Sequence, residues 1–375
     1  MTALSPTAAV ETAADVVVLS TGDVRVPLHP EHPESPAAPR RADQPYRAPA
    51  GDTALRERIA AYATEPGGEA VPPDAIVVTP GARQAIFLVL RAMTRERPEV
   101  LLPVPHWTSY PELIAMAGGR TVRVPGPVGD GTLDVAALEA LRTERTGALV
   151  INSPRNPDGA VVPAGSLRRA VDWAAEHGIG VLFDQVYRGV SLGAEPAPSI
   201  TSLHPRLPGH TALVDGLTKS HALAGLRLGW AVLPPGLRAP VVAAASHLIG
   251  GAAGPAQDAA LVALDGGTPA RVVRALTANL DRATAELAGT PGLECARPTD
   301  GIFLFPDLRG WLRSDAPDEA RRDLAGWLRE HHRVAVVDGA GFGAPGHVRL
   351  SFALPEAQLL EGVRRLRKAV EGSRR

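Results

Sequence analysis

Between Asp52 and Val232 the chain alternates short, unbroken apolar runs with longer stretches whose apolar residues recur every three or four positions, and this alternation constrains the fold most. The runs Ala75 to Val78, Glu99 to Val104, Ala148 to Asn152, Gly180 to Phe183, Thr211 to Val214 and Leu226 to Val232 read as strands. A strand that is apolar on both sides is buried on both faces, the condition of a parallel sheet covered by helices. The stretches between them predict helices from Asp52 to about Glu65, with Leu55, Ile59, Ala60 and Tyr62 at helical spacing and Asp52 as N-cap, and over Arg83–Glu96, Tyr110–Gly118 and Ala164–His177. From about Gly267 a long charged helix begins, and 293–375 reads as strand-strand-helix-strand-strand-helix. The expected division is an N-terminal arm with part of a small domain (1–40), a large domain (41–270) and a small α+β domain (271–375). The proline-rich stretch 24–45 reads as an ordered loop crossing the surface.

At 375 residues and 45% hydrophobic content the chain can bury a sizeable sheet. A formal net charge of -1, with basic residues only in short clusters such as Arg374-Arg375, gives no reason to expect nucleic acid. The single cysteine, Cys295, excludes an internal disulfide and a cysteine-based zinc site. The first residues lack a basic leader region and are interrupted by Glu11 and Asp15, which argues against a signal peptide. No window reaches the roughly 20 apolar residues that cross a bilayer. The expectation is a soluble, cytoplasmic protein with no membrane partner.

The richest chemistry lies in the segment Gly216 to Gly229, where Lys219 follows a strand in a glycine-flanked turn and Arg227 stands eight positions on. A lysine at a strand end can form a Schiff base with an aldehyde, and an arginine fork can clamp a phosphate. Taken alone, such a pair is usually surface charge. The whole string, however, resembles the lysine-attachment signature of class I and II aminotransferases, enzymes that use pyridoxal 5'-phosphate (PLP). The resemblance extends from about Gly22 to the C-terminus and is closest to the bacterial aspartate aminotransferase-like branch. Tyr46, Gly51, Leu55 and Arg56 match Y-x4-G-x3-L-R; Pro105, Trp107, Tyr110 and Pro111 match P-x-W-x-x-Y-P. Asn152 to Gly159 is similar to N-x-P-x-N-P-T-G, Asp184-Gln185-Val186-Tyr187 to D-E-x-Y, and Val348 to Ser351 to x-R-[IL]-S.

The resemblance implies PLP-transferase fold type I: an α/β large domain with a mainly parallel sheet covered by helices, which binds the cofactor, plus the smaller α+β domain. It assigns Gly81, Ala82 and Arg83 to a phosphate cup, with Arg227 beside it and Tyr46 reaching in from a partner subunit. Asp184 is similar to the aspartate that pairs with the pyridine nitrogen and keeps the ring an electron sink. Asn156 and Tyr187 resemble the pair that binds the ring's 3'-oxygen, and Trp107 the aromatic stacked on the ring. Arg349 resembles the arginine that forks onto the substrate α-carboxylate, with Gly22 and Asn156 nearby. Without the resemblance Gly81 would be an ordinary helix start, Asp184 a strand-end cap, and Trp107 and Tyr187 packing residues.

The implied catalytic residues are therefore Lys219, Asp184 and Tyr187. Lys219 would move a proton as base and then acid while an amino group passes from an L-amino acid to a 2-oxo acid in two ping-pong halves. Tyr46 implies a homodimer with shared sites. Some positions depart from the pattern: Asp158 replaces threonine, Gln185 replaces glutamate, and Gly22 begins Gly22-Asp23-Val24 in place of G-E-P. Arg83 stands where the branch has a lysine that reads an acidic substrate's distal carboxylate; it can do the same or face the phosphate. Asp158 with the altered N-terminal loop could instead suit a basic amino acid. Elimination, cyclisation or oxidation on the same scaffold is the competing enzyme reading. A regulatory protein would need a DNA-binding domain ahead of the match, for which the chain has no room.

Overall fold

A computed structural model describes residues 15–26, 45–65, 69–193, 195–203, 209–266 and 268–372. In chain order its elements begin with β1 (Val17–Val18), α1 (Thr53–Ala63), β2 (Ile76–Thr79), α2 (Ala82–Met93), β3 (Glu99–Pro103), α3 (Tyr110–Met116) and β4 (Arg120–Val124). They continue with α4 (Val135–Leu141), β5 (Thr146–Asn152), α5 (Ala164–Glu176), β6 (Gly180–Asp184), α6 (Ile200–Leu203), β7 (Thr211–Gly216) and β8 (Gly229–Val232). Seven strands form one sheet in the order β2-β8-β7-β6-β5-β3-β4. Four neighbouring pairs run parallel, and β8 runs antiparallel to both β2 and β7. Every strand except β8 therefore points its carboxyl end to one edge, and β8 starts there. In such sheets ligands bind beyond that edge.

Side-chain alternation along the strands explains the two-sided burial. Phe183 and Leu213 sink into the apolar layer on one face, with Ile151, Val181 and Trp230. Leu182 and Val214 enter the layer on the other face, with Val150, Ala212 and Ala231. Each covering helix supplies a stripe: in α5, Leu167, Ala170, Val171 and Ala174 are buried at spacings of three, one and three. A buried leucine contributes on the order of 1.5–3 kcal/mol, so these layers, rather than helix propensity, hold the elements in place.

The chain closes with α7 (Pro235–Leu248), α8 (Gly254–Ala263), α9 (Thr268–Leu287), β9 (Phe303–Leu304), α10 (Arg309–Ser314), α11 (Asp318–Arg322), α12 (Leu324–His332), β10 (Val334–Ala335), β11 (Val337–Asp338), β12 (Val348–Ser351) and α13 (Glu356–Gly372). Val272, Leu276, Leu280 and Leu287 of α9 share a second core with Leu359, Val363 and Leu366 of α13. Gly362 lets Leu19 lie against α13, since a Cβ there would stand 2.7 Å from a Leu19 methyl carbon.

Several expectations need correction. The segment 293–375 has one two-residue strand and then three helices before β10, because Trp311, Trp327 and Leu328 bury a helical stripe that strand-like spacing concealed. The run from Leu226 to Val232 is a strand only from Gly229; Ala224–Leu226 form a 3₁₀ turn closed by Arg227 at φ 52°. The edge strand β4 and helices α4, α7 and α8 were not anticipated: β4 carries exposed arginines, while α7 and α8 open with proline in the first turn, where it costs no hydrogen bond. The expected surface loop over 24–45 lies almost wholly outside the described residues, as do residues 1–14 of the expected N-terminal arm.

Candidate active site

Most of the cavity wall stands where the sheet's carboxyl edge meets the second core. The cavity is about 500 Å³ and is lined by Ala82, Arg83, Trp107, Asn156, Asp184, Tyr187, Lys219, Arg227 and Arg349, with Gly22 at its N-terminal wall. Gly81 caps α2 behind Ala82 at φ 80°. A side chain there is excluded twice, by that φ and by Arg227, whose Nη2 would lie 2.6 Å from a Cβ. The arginine fork is thus laid over the N-terminus of a twelve-residue helix, where backbone N–H groups have no intrahelical partner. That place suits an anion. Arg83 adds to it, with its guanidinium 4.9 Å from the centre of the Trp107 ring; burial and then Arg227 lower its pKa.

Asp184 ends β6 on the cavity side and is buried. Its carboxylate accepts from the Tyr110 hydroxyl (2.6 Å) and the Val186 N–H (3.1 Å). Burial still raises its pKa to about 6, against those two bonds and Lys219. Asn152 donates to the Asp184 carbonyl (3.0 Å) and accepts from the Asn156 N–H (2.8 Å), so the β5 and β6 ends are locked together. Sequence analysis missed Tyr110 as a site residue although its motif contained it; its side is fixed only by the helix that Trp107 to Pro111 opens.

Lys219 stands three residues beyond β7, with Nζ donating to the Gly22 carbonyl (2.6 Å) and lying 5.9 Å from the Tyr187 ring centre. Burial pushes its pKa down to about 8; Arg349 and Arg227 act in the same direction, Asp23 and Asp184 against it. An amine so placed is poised to lose its proton near neutrality. Arg349 on β12 donates to Asn156 Oδ1 (2.9 Å) and the Ser20 carbonyl (3.2 Å), and packs 4.0 Å from the centre of Phe303. Its Nε is buried with no partner. Phe303 and Asp23 are further lining residues with no motif to announce them.

Tyr46 is fully exposed on this chain and does not reach the cavity. Asp158 lies elsewhere as well: it forms a buried ion pair with Arg155 and accepts from the Gly129 N–H (2.8 Å). The reading of Asp158 as a partner for a basic substrate is therefore set aside, its oxygens being taken up by Arg155, Ala160 and Gly129.

The donor set fits one kind of occupant: a phosphate at the α2 N-terminus, an aldehyde within reach of Lys219, and a ring cation at the buried Asp184. This combination defines an aldehyde-cofactor enzyme of the large parallel-sheet class. Residues 14–366 match the family model for aminotransferase class I and II. The chain is 34% identical over 337 residues to a probable aspartate/prephenate aminotransferase of Aquifex aeolicus, covering 88% of this chain and 85% of that protein. It is 33% identical over 321 residues to an arginine–pyruvate transaminase of Pseudomonas aeruginosa, covering 84% and 80%. The solved structure of Thermus thermophilus aspartate aminotransferase with maleate superposes with a TM-score of 0.82 at 32% identity, over 95% of this chain and 92% of that one. The protein belongs to the class I and II aminotransferases, of the aspartate aminotransferase type, and its cofactor is PLP.

Asp184 gives the apoprotein a pH signature. Its folded pKa, about 6, lies above the ordinary 3.8, so between those values the folded chain holds a proton that the unfolded chain has released. Stability from this group is present below pH 3.8 and lost as pH rises through about 6. Urea midpoints of the apoprotein should fall over that window relative to Asp184→Asn; parallel curves would remove the assignment.

Proposed function

We propose that this aminotransferase moves an amino group from an L-amino acid to a 2-oxo acid, with Lys219 both holding the cofactor and carrying the proton. Bound PLP supplies an aldehyde for the amine and a ring that accepts the electrons released at the substrate α-carbon. The observation that carries the reading is the half-buried Lys219 amine in the cavity wall between the anion cradle at Gly81 and Arg227, the Asp184 carboxylate and the Arg349 fork. Asp184 would hold the ring nitrogen's proton, Asn156 and Tyr187 the ring oxygen, and Trp107 one ring face. Arg349 would take the α-carboxylate, its buried and unpartnered Nε supporting an occupant that accepts hydrogen bonds. Lys219 would move the substrate's α-proton as base and then acid, with the Gly22 carbonyl orienting Nζ.

With Arg227 and the α2 terminus supplying the phosphate site, Arg83 is free to read an acidic side chain; among the described residues no carboxylate pairs with it. The maleate in the Thermus structure, a dicarboxylate, supports the same reading. The working division of the chain is the arm 1–40, the cofactor domain 41–270 and the small domain 271–375, supported by separate apolar cores. Tyr46, fully exposed on its own chain, supports a homodimer in which it completes the partner's phosphate site. Sedimentation should give a dimer, and a fully active monomer would overturn that part.

The test is spectroscopic. L-aspartate, L-glutamate and L-arginine are added singly to the PLP-bound protein without an oxo acid. Conversion of the visible band to the ultraviolet band of the amine form, reversed by 2-oxoglutarate or pyruvate, supports transamination. Product release with the visible band restored and no acceptor present would overturn it in favour of elimination, cyclisation or oxidation. Arg349→Lys should raise KM for the donor about 10- to 100-fold, the loss of a forked charged contact worth roughly 1.5–3 kcal/mol, measured by initial rates.

A further inference from the structure

On the sheet face opposite the cavity, two buried polar side chains meet. Because side chains alternate, Asp184 emerges toward the cavity while the next residue, Gln185, and Asp215 of β7 emerge on the other face. Gln185 donates through Nε2 to Asp215 Oδ2 (3.1 Å), and the Gly216 N–H donates to Oδ1 (2.7 Å). The Ser199 hydroxyl donates to Gln185 Oε1 (2.8 Å), which turns the amide nitrogen toward the carboxylate. All three side chains are buried.

The pair sits where β6 and β7 part. Their backbone contact ends with the Gln185 N–H on the Val214 carbonyl (3.0 Å). Beyond it one strand runs on into Val186 and Tyr187, the other into the turn that carries Lys219. The Gln185–Asp215 bond is therefore the last tie between the residue following Asp184 and the strand end that leads to Lys219. Gln185 also stands where the resembled pattern has glutamate. A glutamate here would set carboxylate against carboxylate at the 3.1 Å contact, which neither could ionise beside freely. One amide and one carboxylate satisfy each other.

We propose that the negative charge this pattern carries on β6 is carried here on β7, and that Asp215, through Gln185, is a positioning residue fixing the Lys219 turn against the Asp184 strand end. The proposal rests on the roles given above to Lys219 and Asp184. The other groups facing Asp215 are Arg188, itself paired with Glu65 at 2.7 Å, the Tyr62 phenol of α1 and, through the sheet, Asp184.

The test is a cycle of Gln185→Glu, Asp215→Asn and the double exchange, which returns one carboxylate and one amide to the rung. Each single change should weaken PLP binding about 10-fold and shift the pH midpoint of the visible band, while the double variant should come back to within about 3-fold of the parent. Additive losses, or three variants indistinguishable from the parent, would overturn the proposal. The urea midpoint of the apoprotein runs the same cycle without cofactor or Lys219 chemistry. Coupling there upholds the rung even if Lys219 proves not to hold PLP, and additivity there sinks it. Should Gln185→Glu fail to fold, recovery of folded protein in the double variant is the same rescue, and no recovery overturns the idea.

Discussion

Lys219→Ala should abolish both turnover and the visible absorbance of protein mixed with PLP. The two losses have one physical source, since the amine proposed to hold the cofactor is also the group proposed to carry the proton. General acid–base catalysis by a placed side chain is worth about 10²–10⁴-fold, and the covalent attachment is lost as well, so a residual rate below roughly 10⁻⁴ of the parent is expected. The fold should survive. Deleting the amine removes one hydrogen bond, to the Gly22 carbonyl, and relieves a half-buried cation whose pKa desolvation already depresses to about 8. Apoprotein unfolding should be unchanged or slightly improved, and a variant that keeps normal turnover would end the assignment.

Asp184→Asn should keep the visible band and lose most of the rate. The asparagine can still meet the Tyr110 hydroxyl and the Val186 N–H, so the pocket stays shaped, but the charge that would hold a ring proton is gone. Removing one partner of a buried charged pair costs about 3–5 kcal/mol, which at the barrier is on the order of 10²- to 10⁴-fold in kcat. The substrate KM should move little, because Arg349 and not Asp184 meets the substrate carboxylate in the proposed arrangement. A kcat within about 3-fold of the parent would exceed what that energy allows and remove Asp184 from the role.

The large sheet was legible, apart from its edge strand β4, because its other strands are almost wholly apolar, and the edge of the site was legible because a motif stands at or just beyond the ends of β5, β6 and β7. Asn152, Asp184 and Lys219 could each be placed at a strand terminus from sequence alone. Helices α7 and α8 escaped because they are alanine-rich with proline in the first turn, so no stripe stands out. Asp23, Phe303 and Tyr110 reach the cavity through tertiary placement that no spacing encodes. Asp158 misled for the opposite reason: an acid out of pattern beside a motif invites a functional reading, whereas here it is consumed by Arg155 and the Gly129 N–H.

The short segment Leu19–Asp23 is the piece of backbone that meets two of the site's four cations, Lys219 and Arg349. The Gly22 carbonyl receives Lys219 and the Ser20 carbonyl receives Arg349, contacts that span 197 and 329 positions of chain. The carbonyl of Val18, just ahead of it, is in turn held by Gln358, 340 positions away, and Leu19 rests on Gly362 of α13. That wall of the cavity is thus fastened by residues of α13, so a change that loosens this helix would loosen the cavity as well.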